Sequence, residues 1–307
     1  MTAVPETSGV QRSLALDGPL DLVRTLRPLW RGPGDPTMRL GPERAWRATR
    51  TADGPASIAM ALDGRQIVAR AWGPGAEAAL AALPAVLGLD DDRDGWRPEA
   101  HPVIVALDRR LRGLRIGRTG AVMEALVPAI IEQKVTGREA SASFRDLVLA
   151  HGETAPGPLG LRLPPEPSRL AALPYFAFHP LGLERRRADT IRGAAARAAW
   201  LEATAMMTRA DAEARLRSIA GIGAWTAAEV AVRAFGDPDA VSVGDFHLPS
   251  LVCWALAGER RGDDARMLEL LEPFRGHRAR VLRLLEAGGM GPPRRGPRMP
   301  TRSIAAI

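Results

Sequence analysis

The stretch LRSIAGIGAWTAAEV, from Leu216 to Val230, constrains this chain more than any other. One helical pattern runs to Ile219, a second starts near Ala224, and only Ala220-Gly221-Ile222-Gly223 separates them. Glycine supplies the positive φ that so short a turn needs, and it has no Cβ to hold a partner away. Two helices joined this tightly leave the first N–H groups of the second helix free. Those donors, with the positive end of the helix dipole, favour an anion such as a phosphate. Taken alone, a Gly-x-Gly turn equally suits a helical hairpin that only rounds a corner in a core. Both readings call for helical surroundings.

The rest of the chain supplies them. From about residue 101 long amphipathic patterns follow one another: AVMEALVPAIIEQKV, REASASFRDLVLAHG, ERRRADTIRGAAARAAWL, TRADAEARLRSI, AWTAAEVAVRAFG and DDARMLELLEPF. Each is bounded by Gly or Pro, or opened by an N-cap such as Thr208 with Asp211 three places on. A proline-rich loop, APGPLGLRLPPEP, separates two of them. Before residue 101 the periodicity is mixed. DGPLDLVRTLRPLW and GAEAALAALPAVLG read as helices, and RAWRATRT, PASIAMAL and RQIVARAW as strands, the last two joined by the hairpin signal Asp63-Gly64. The expected organisation is a disordered N-terminus over residues 1–12 and a small α+β domain over 13–100, an antiparallel sheet with two helices. A mainly α-helical region over 101–290 and a flexible Pro/Arg-rich tail over 291–307 complete it.

The formal net charge is +7, and Lys134 is the only lysine, so 41 of the 42 basic residues are arginine. Arginine suits phosphate because its planar fork donates two parallel hydrogen bonds and stays charged. A polyanionic partner fits this balance, as does a composition that merely follows genome base content. The single cysteine, Cys253, lies in the apolar run LVCWAL and reads as a small buried hydrophobe. One thiol excludes an intramolecular disulfide and an iron–sulfur cluster held by four cysteines. His151, His179 and His247 show no metal-ligand spacing with acidic neighbours. No apolar run is long enough to span a membrane, and MTAVPETSGVQRS lacks the apolar segment of a secretory signal, so a cytoplasmic location is expected.

About twenty residues after the hairpin stands V-G-D-F-H. Ile219, Gly221, Ile222, Gly223, Thr226, Ala227, Val243, Asp245 and His247 together resemble the motif of the helix-hairpin-helix (HhH-GPD) DNA glycosylase superfamily. The small α+β domain ahead of the helices, VPAIIEQKVTG and the basic EPFRGHRARVL segment are similar to its 3-methyladenine DNA glycosylase II (AlkA) branch. The resemblance covers residues 13–290. It implies an α+β N-terminal domain followed by a mainly α-helical HhH-GPD glycosylase region. It further implies a monomeric, nucleoid-associated, monofunctional enzyme that flips damaged, alkylated purines out of double-stranded DNA and hydrolyses their N-glycosidic bond without a cofactor.

Residue roles follow from the same resemblance. Asp245 is the catalytic carboxylate, stabilising the oxocarbenium-like sugar and orienting water; capping the helix that starts near Phe246 is a compatible second role. Trp225 and Glu229 line the substrate pocket. Trp225 stands where strand-cleaving relatives carry a Schiff-base lysine, which implies simple hydrolysis. Gln133, Lys134, Gly221, Ile222, Gly223, Thr226 and His247 are the DNA contacts. The backbone carbonyls of Arg217, Ile219 and Ile222 are expected to hold a structural monovalent cation. Four positions depart from the family pattern: Glu229 stands in place of an aromatic residue, Lys134 of an apolar wedge, Arg283 of a further pocket aromatic, and Ala220 of a proline. The stretch Tyr175-Phe176-Ala177-Phe178-His179 suits either core packing or the pocket wall. Two other readings of function stay open: a non-catalytic DNA-binding or damage-sensing protein, and a glycosylase for oxidised or deaminated bases.

Overall fold

Period-two patterning produces the sheet. In a computed structural model that describes residues 9–293, β1 (Val10–Ala15), β2 (Met38–Gly41), β3 (Arg44–Thr51), β4 (Gly54–Asp63) and β5 (Gln66–Trp72) form an antiparallel sheet in the order β1-β5-β4-β3-β2. On β5, Ile67, Ala69 and Ala71 are buried while Val68 and Arg70 turn outward, the alternation expected of a one-sided sheet. The Asp63-Gly64 hairpin forms as read, with Asp63 opposite Gln66 and Gly64 at φ 58°. The helices α1 (Leu22–Leu26) and α2 (Ala76–Val86) cover the apolar face through Leu22, Leu26, Leu80 and Leu83. Alanines at 45, 69 and 71 leave room for them.

Two expectations need correction here. Residues 10–12, expected to be disordered, belong to β1, which pairs along β5 from Val10 opposite Ala71 to Ala15 opposite Gln66. An edge strand draws its stability from main-chain hydrogen bonds. Its side chains are mostly exposed, so it carries no apolar period for the sequence to display. The proline-rich loop likewise holds a short ribbon, β6 (Glu153–Thr154) paired with β7 (Arg162–Leu163). It packs Ala155, Leu161 and Leu163 against Ala48 of the sheet. Residues 1–8 and 294–307, which include most of the expected tail, lie outside the described residues.

The helical region contains α3 (Pro102–Arg110), α4 (Val122–Ile131), α5 (Gly137–His151), α6 (Pro167–Ala172), α7 (Arg185–Ala195), α8 (Ala198–Glu202), α9 (Arg209–Arg217), α10 (Ala224–Val230), α11 (Leu248–Ala257), α12 (Asp264–Leu271) and α13 (Arg278–Gly288). They bury two separate cores. One is built on α4, α5, α7, α9 and α10. The other joins α3 to α11, α12 and α13. The loop from α10 to α11, which carries Asp245, crosses the seam between them. No helix among the described residues is long and apolar enough to cross a membrane.

One buried ion pair ties the end of the sheet domain to the last helix. The Arg280 side chain, 2 % exposed, donates to both oxygens of Asp91 at 2.8 and 2.6 Å and to the Asp92 carbonyl at 2.9 Å. Removing one partner of such a pair strands the other charge without water. Arg280→Leu is therefore expected to destabilise the fold by about 3–5 kcal/mol, and Asp91→Leu combined with it to recover much of that loss. Denaturant unfolding measures both; a single-variant loss below about 1 kcal/mol contradicts the assignment.

Candidate active site

The hairpin forms where the sequence places it. Helix α9 is opened by Thr208, whose side chain accepts from the Asp211 N–H, and its chain turns through Ile219–Gly223 into α10. The side chains of Ile219 and Ile222 are buried in the helical core and anchor the turn. Gly221 lies at φ 91°, and a Cβ there would stand 2.1 Å from the Thr190 hydroxyl of α7. Gly223 departs from expectation: it is extended (φ −97°, ψ −175°) and needs no glycine for its backbone. A Cβ on Gly223 would meet no protein atom within 4 Å, so nothing in the chain requires a small residue there.

Gln133, on the loop after α4, reaches across to this turn. Its amide donates to the Gly221 carbonyl at 3.0 Å and to the Thr226 hydroxyl at 2.9 Å. Thr226 is 2 % exposed, so the expected phosphate contact is replaced by an internal one. Gln133 likewise spends its amide donor on the hairpin and acts as its clamp. Lys134, the next residue, is exposed and lies at φ 55°, the one non-glycine position with positive φ among the described residues.

Asp245 is held from three directions. Oδ1 accepts the N–H groups of His247 (2.7 Å) and Leu248 (2.9 Å), which caps the start of α11. Oδ2 accepts the indole N–H of Trp225 at 3.0 Å. Capping and exposure of the carboxylate thus coexist, since Asp245 is only half-buried. A carboxylate offers about four acceptor positions, so one on Oδ2 is left for a substrate atom or water. Gly244 (φ 90°) makes the bend before it, its N–H donating to Asp264 at 3.0 Å. Phe246 is 85 % exposed and meets the exposed His247 ring edge-on, centroids 5.0 Å apart.

Glu229 has a different place from the one the sequence suggested. It is paired with Arg233 one turn along and accepts from the Ser242 hydroxyl. Ser242 is 3 % exposed, and its carbonyl accepts the Asp245 N–H at 3.2 Å. Trp225 and Glu229, four residues apart on one face of α10, therefore staple the Asp245 loop at two points. Glu229 holds that loop; its charge is neutralised by Arg233 and is not presented to a base. Burial acts to lower the Arg233 pKa, but Glu229 and Glu132 outweigh it and hold the guanidinium above its ordinary value. Arg283 donates to the Arg24 carbonyl at 2.9 Å and to Glu286 at 3.0 Å, and burial pushes its pKa below the ordinary value.

The aromatic stretch divides. Phe178 is fully buried in the helical core, Tyr175 packs against that core with the Arg185 guanidinium 5.5 Å from its ring centre, and Phe176 is 76 % exposed. The Ile219 carbonyl accepts the Ile222 N–H at 3.0 Å, and Arg217 pairs with Glu213 through its side chain. A cavity of about 560 Å³ lies between the sheet and α4, lined among others by Met38, Ile58, Leu83, Met123 and Phe144. None of Trp225, Glu229 and Asp245 lines it. Sequence reasoning did not single out Ser242 or Arg233; three residues before the carboxylate, Ser242 carries no local signature, and its role depends on α10 lying alongside.

No known-family profile matches the chain. Over 152 residues, 48% of its length, it is 31% identical to a protein of two Mycobacterium tuberculosis strains described as a probable bifunctional transcriptional activator/DNA repair enzyme AlkA. The chain spans only 30% of the length of those relatives. In fold it is similar to the 3-methyladenine DNA glycosylase of Archaeoglobus fulgidus (TM-score 0.77, 22% identity, 89% of this chain and 96% of that one). It is also similar to an 8-oxoguanine glycosylase/lyase of Clostridium acetobutylicum in complex with double-stranded DNA (TM-score 0.67, 14% identity, 87% and 90%). A third likeness is to the 3-methyladenine DNA glycosylase Mag1 of Schizosaccharomyces pombe in complex with abasic DNA (TM-score 0.51, 15% identity, 62% and 94%). The resemblance to helix-hairpin-helix DNA glycosylases is thus carried by the fold as well as by the hairpin motif.

The hairpin's geometry makes its own prediction. Gly221→Ala combines positive φ with a collision against Thr190 and is expected to destabilise by about 1–3 kcal/mol. Adding Thr190→Ala should relieve the collision and leave the φ cost, so thermal unfolding should show partial recovery. Full recovery would mean that φ costs nothing there.

Proposed function

We propose that this chain, an α+β N-terminal domain leading into a helix-hairpin-helix glycosylase region, removes damaged bases from double-stranded DNA. The observation that carries the reading is the Asp245 carboxylate. It is fixed by three N–H donors at the seam of two helical cores, beside the hairpin turn, with one acceptor position free. A group so held needs no reorganisation as positive charge develops on the deoxyribose, which is the condition for electrostatic stabilisation of an oxocarbenium-like transition state. The same carboxylate can orient or deprotonate the attacking water.

The turn Gly221-Ile222-Gly223 supplies the anchor for a phosphate, with the open space at Gly223 allowing the DNA backbone to come close. His247 and Lys134, both exposed, are further DNA contacts. The carbonyls of Arg217, Ile219 and Ile222 are hard oxygen donors of the kind a structural monovalent cation takes, and they belong to this proposal as its ligands. Base release is hydrolytic, because Trp225 offers no amine for a Schiff base. Alkylated purines are the preferred substrate class. A cationic base gains ~0.5–2 kcal/mol over an indole face, and Trp225, the aromatic residue of α10, donates to the carboxylate. The location consistent with such an enzyme is the cytoplasm, on the nucleoid.

Release of free base from duplexes carrying defined alkylated, oxidised or deaminated lesions tests the proposal. Wild type is expected to release alkylated purines, and Asp245→Asn to lose release at least about a hundredfold, on the scale of removing one preorganised charge-stabilising group. DNA binding without release of any base by wild type would establish the non-catalytic alternative instead. Gly223→Ala should leave the melting temperature unchanged while weakening DNA binding; unchanged binding would remove that turn from the interface.

A further inference from the structure

The cavity of about 560 Å³ under the sheet belongs to both parts of the chain. Met38, Ile58 and Leu83 come to it from the core of the sheet domain, Met123 and Phe144 from the helical core. Its size is that of a small-molecule site, and such sites favour junctions between domains. Three methionines, Met38, Met60 and Met123, line it. A thioether wall adapts to the shape laid against it and makes favourable contacts with aromatic rings. The arginines of the wall are all answered within the protein. Arg47 donates to Glu124 at 2.7 Å, Arg31 to Glu132 at 3.1 Å, and Arg50 to Glu153 at 3.0 Å. Glu124 also accepts from the Thr49 hydroxyl and the Arg50 N–H. Glu202, the half-buried last residue of α8, also lines the cavity and is the exception. One of its oxygens accepts the Val122 N–H and the other the Met123 N–H, both at 2.8 Å, and no cation among the described residues pairs with it. Burial and the neighbouring Glu124 push its pKa up, against the pull of those two N–H groups and the positive end of α4. Each oxygen keeps an acceptor position for a further donor.

We propose that this cavity binds an organic monocation, an aryl-alkyl amine whose ammonium docks on Glu202 and whose apolar body lies against the methionines and Phe144. The site is separate from Asp245 and does not depend on base removal. An ammonium brings donors and no acceptor, which matches a carboxylate with acceptor positions left and no counter-cation. Its charge offsets both the burial of Glu202 and the repulsion from Glu124. A neutral molecule of the same shape leaves the Glu202 charge uncompensated, and an anion adds a third negative charge beside Glu124 and Glu202. The apolar body is driven in by the area it removes from water, and the methionines favour an aromatic one. Glu202 thus selects the charge of the ligand and the apolar wall selects its body.

Titration calorimetry on the full chain tests this with phenylbutylamine, its isosteric alcohol phenylbutanol and the anion phenylbutyrate. Wild type is expected to bind the amine saturably, and the alcohol and the anion at least about tenfold more weakly, the scale of one hydrogen bond to a charged group. Ala82 lines the cavity from α2 and is exposed, so Ala82→Trp occupies the space without disturbing a core. That variant should keep its melting temperature and weaken both amine and alcohol at least about tenfold. Glu202→Gln should lower the amine to the affinity of the alcohol while leaving the alcohol unchanged. No saturable binding of the amine by wild type overturns the proposal. Equal binding of amine and alcohol overturns it too, as does amine binding that Ala82→Trp leaves untouched. The wild-type comparison and Ala82→Trp decide the matter even where Glu202→Gln unfolds through loss of its hold on α4.

Discussion

The buried guanidinium of Arg233 is the interaction on which the site's arrangement depends. It sits in a single π-helical turn, Ala231–Phe235, that continues α10. From there it binds Glu229 on α10, Glu132 at the end of α4, and the Pro28 carbonyl of the first domain at 3.0 Å. Its own main-chain carbonyl accepts the Thr119 N–H at 3.2 Å. A π turn inserts one extra residue into a helix, and such turns recur at functional sites. Here it rotates Arg233 to meet three elements at once. A desolvated charge of this kind is tolerable only when fully paired, which makes the geometry of its partners specific.

The consequences run outward from that cation. Glu229, neutralised by Arg233, is free to accept from Ser242 and so fixes the start of the Asp245 loop. Trp225 fixes the far end through Asp245 itself. Glu132 fixes the base of the loop that carries Gln133 and Lys134. One network therefore sets the carboxylate, the hairpin clamp and the exposed amine in a common frame. None of these groups lies in the large cavity under the sheet. The carboxylate lies instead at the seam between the two helical cores, joined to the hairpin's second helix through Trp225.

Much of this was legible locally. The hairpin, the Asp63-Gly64 turn, the N-cap at Thr208 and the carboxylate that both caps α11 and faces outward are properties of short segments, and each forms where the sequence places it. What stayed hidden depends on residues far apart in the chain. Gln133 and Thr226 are 93 positions apart, and the hydrogen bond between them gives the buried Thr226 hydroxyl an internal partner that the local sequence does not display. The resemblance implies a pocket role for Glu229 beside Trp225; the serine that accounts for it arrives from the following loop. Strand β1 was missed for the opposite reason, since an exposed edge strand leaves no apolar period to see.

The central claim is that two side chains of α10 position one carboxylate for base release. A double-mutant cycle on the single-turnover rate of base release, with Trp225→Phe and Ser242→Ala, measures this most directly. Each change removes one staple of the same loop. The indole bond to a charged acceptor is worth about 1.5–3 kcal/mol, or about 10- to 100-fold in rate if all of it is expressed in the transition state. The account predicts that each variant is slowed with binding to abasic DNA retained, and that the double variant is slowed by less than the product of the two effects, because the staples act on one element. Rates unchanged in both single variants would contradict it, and so would fully independent effects.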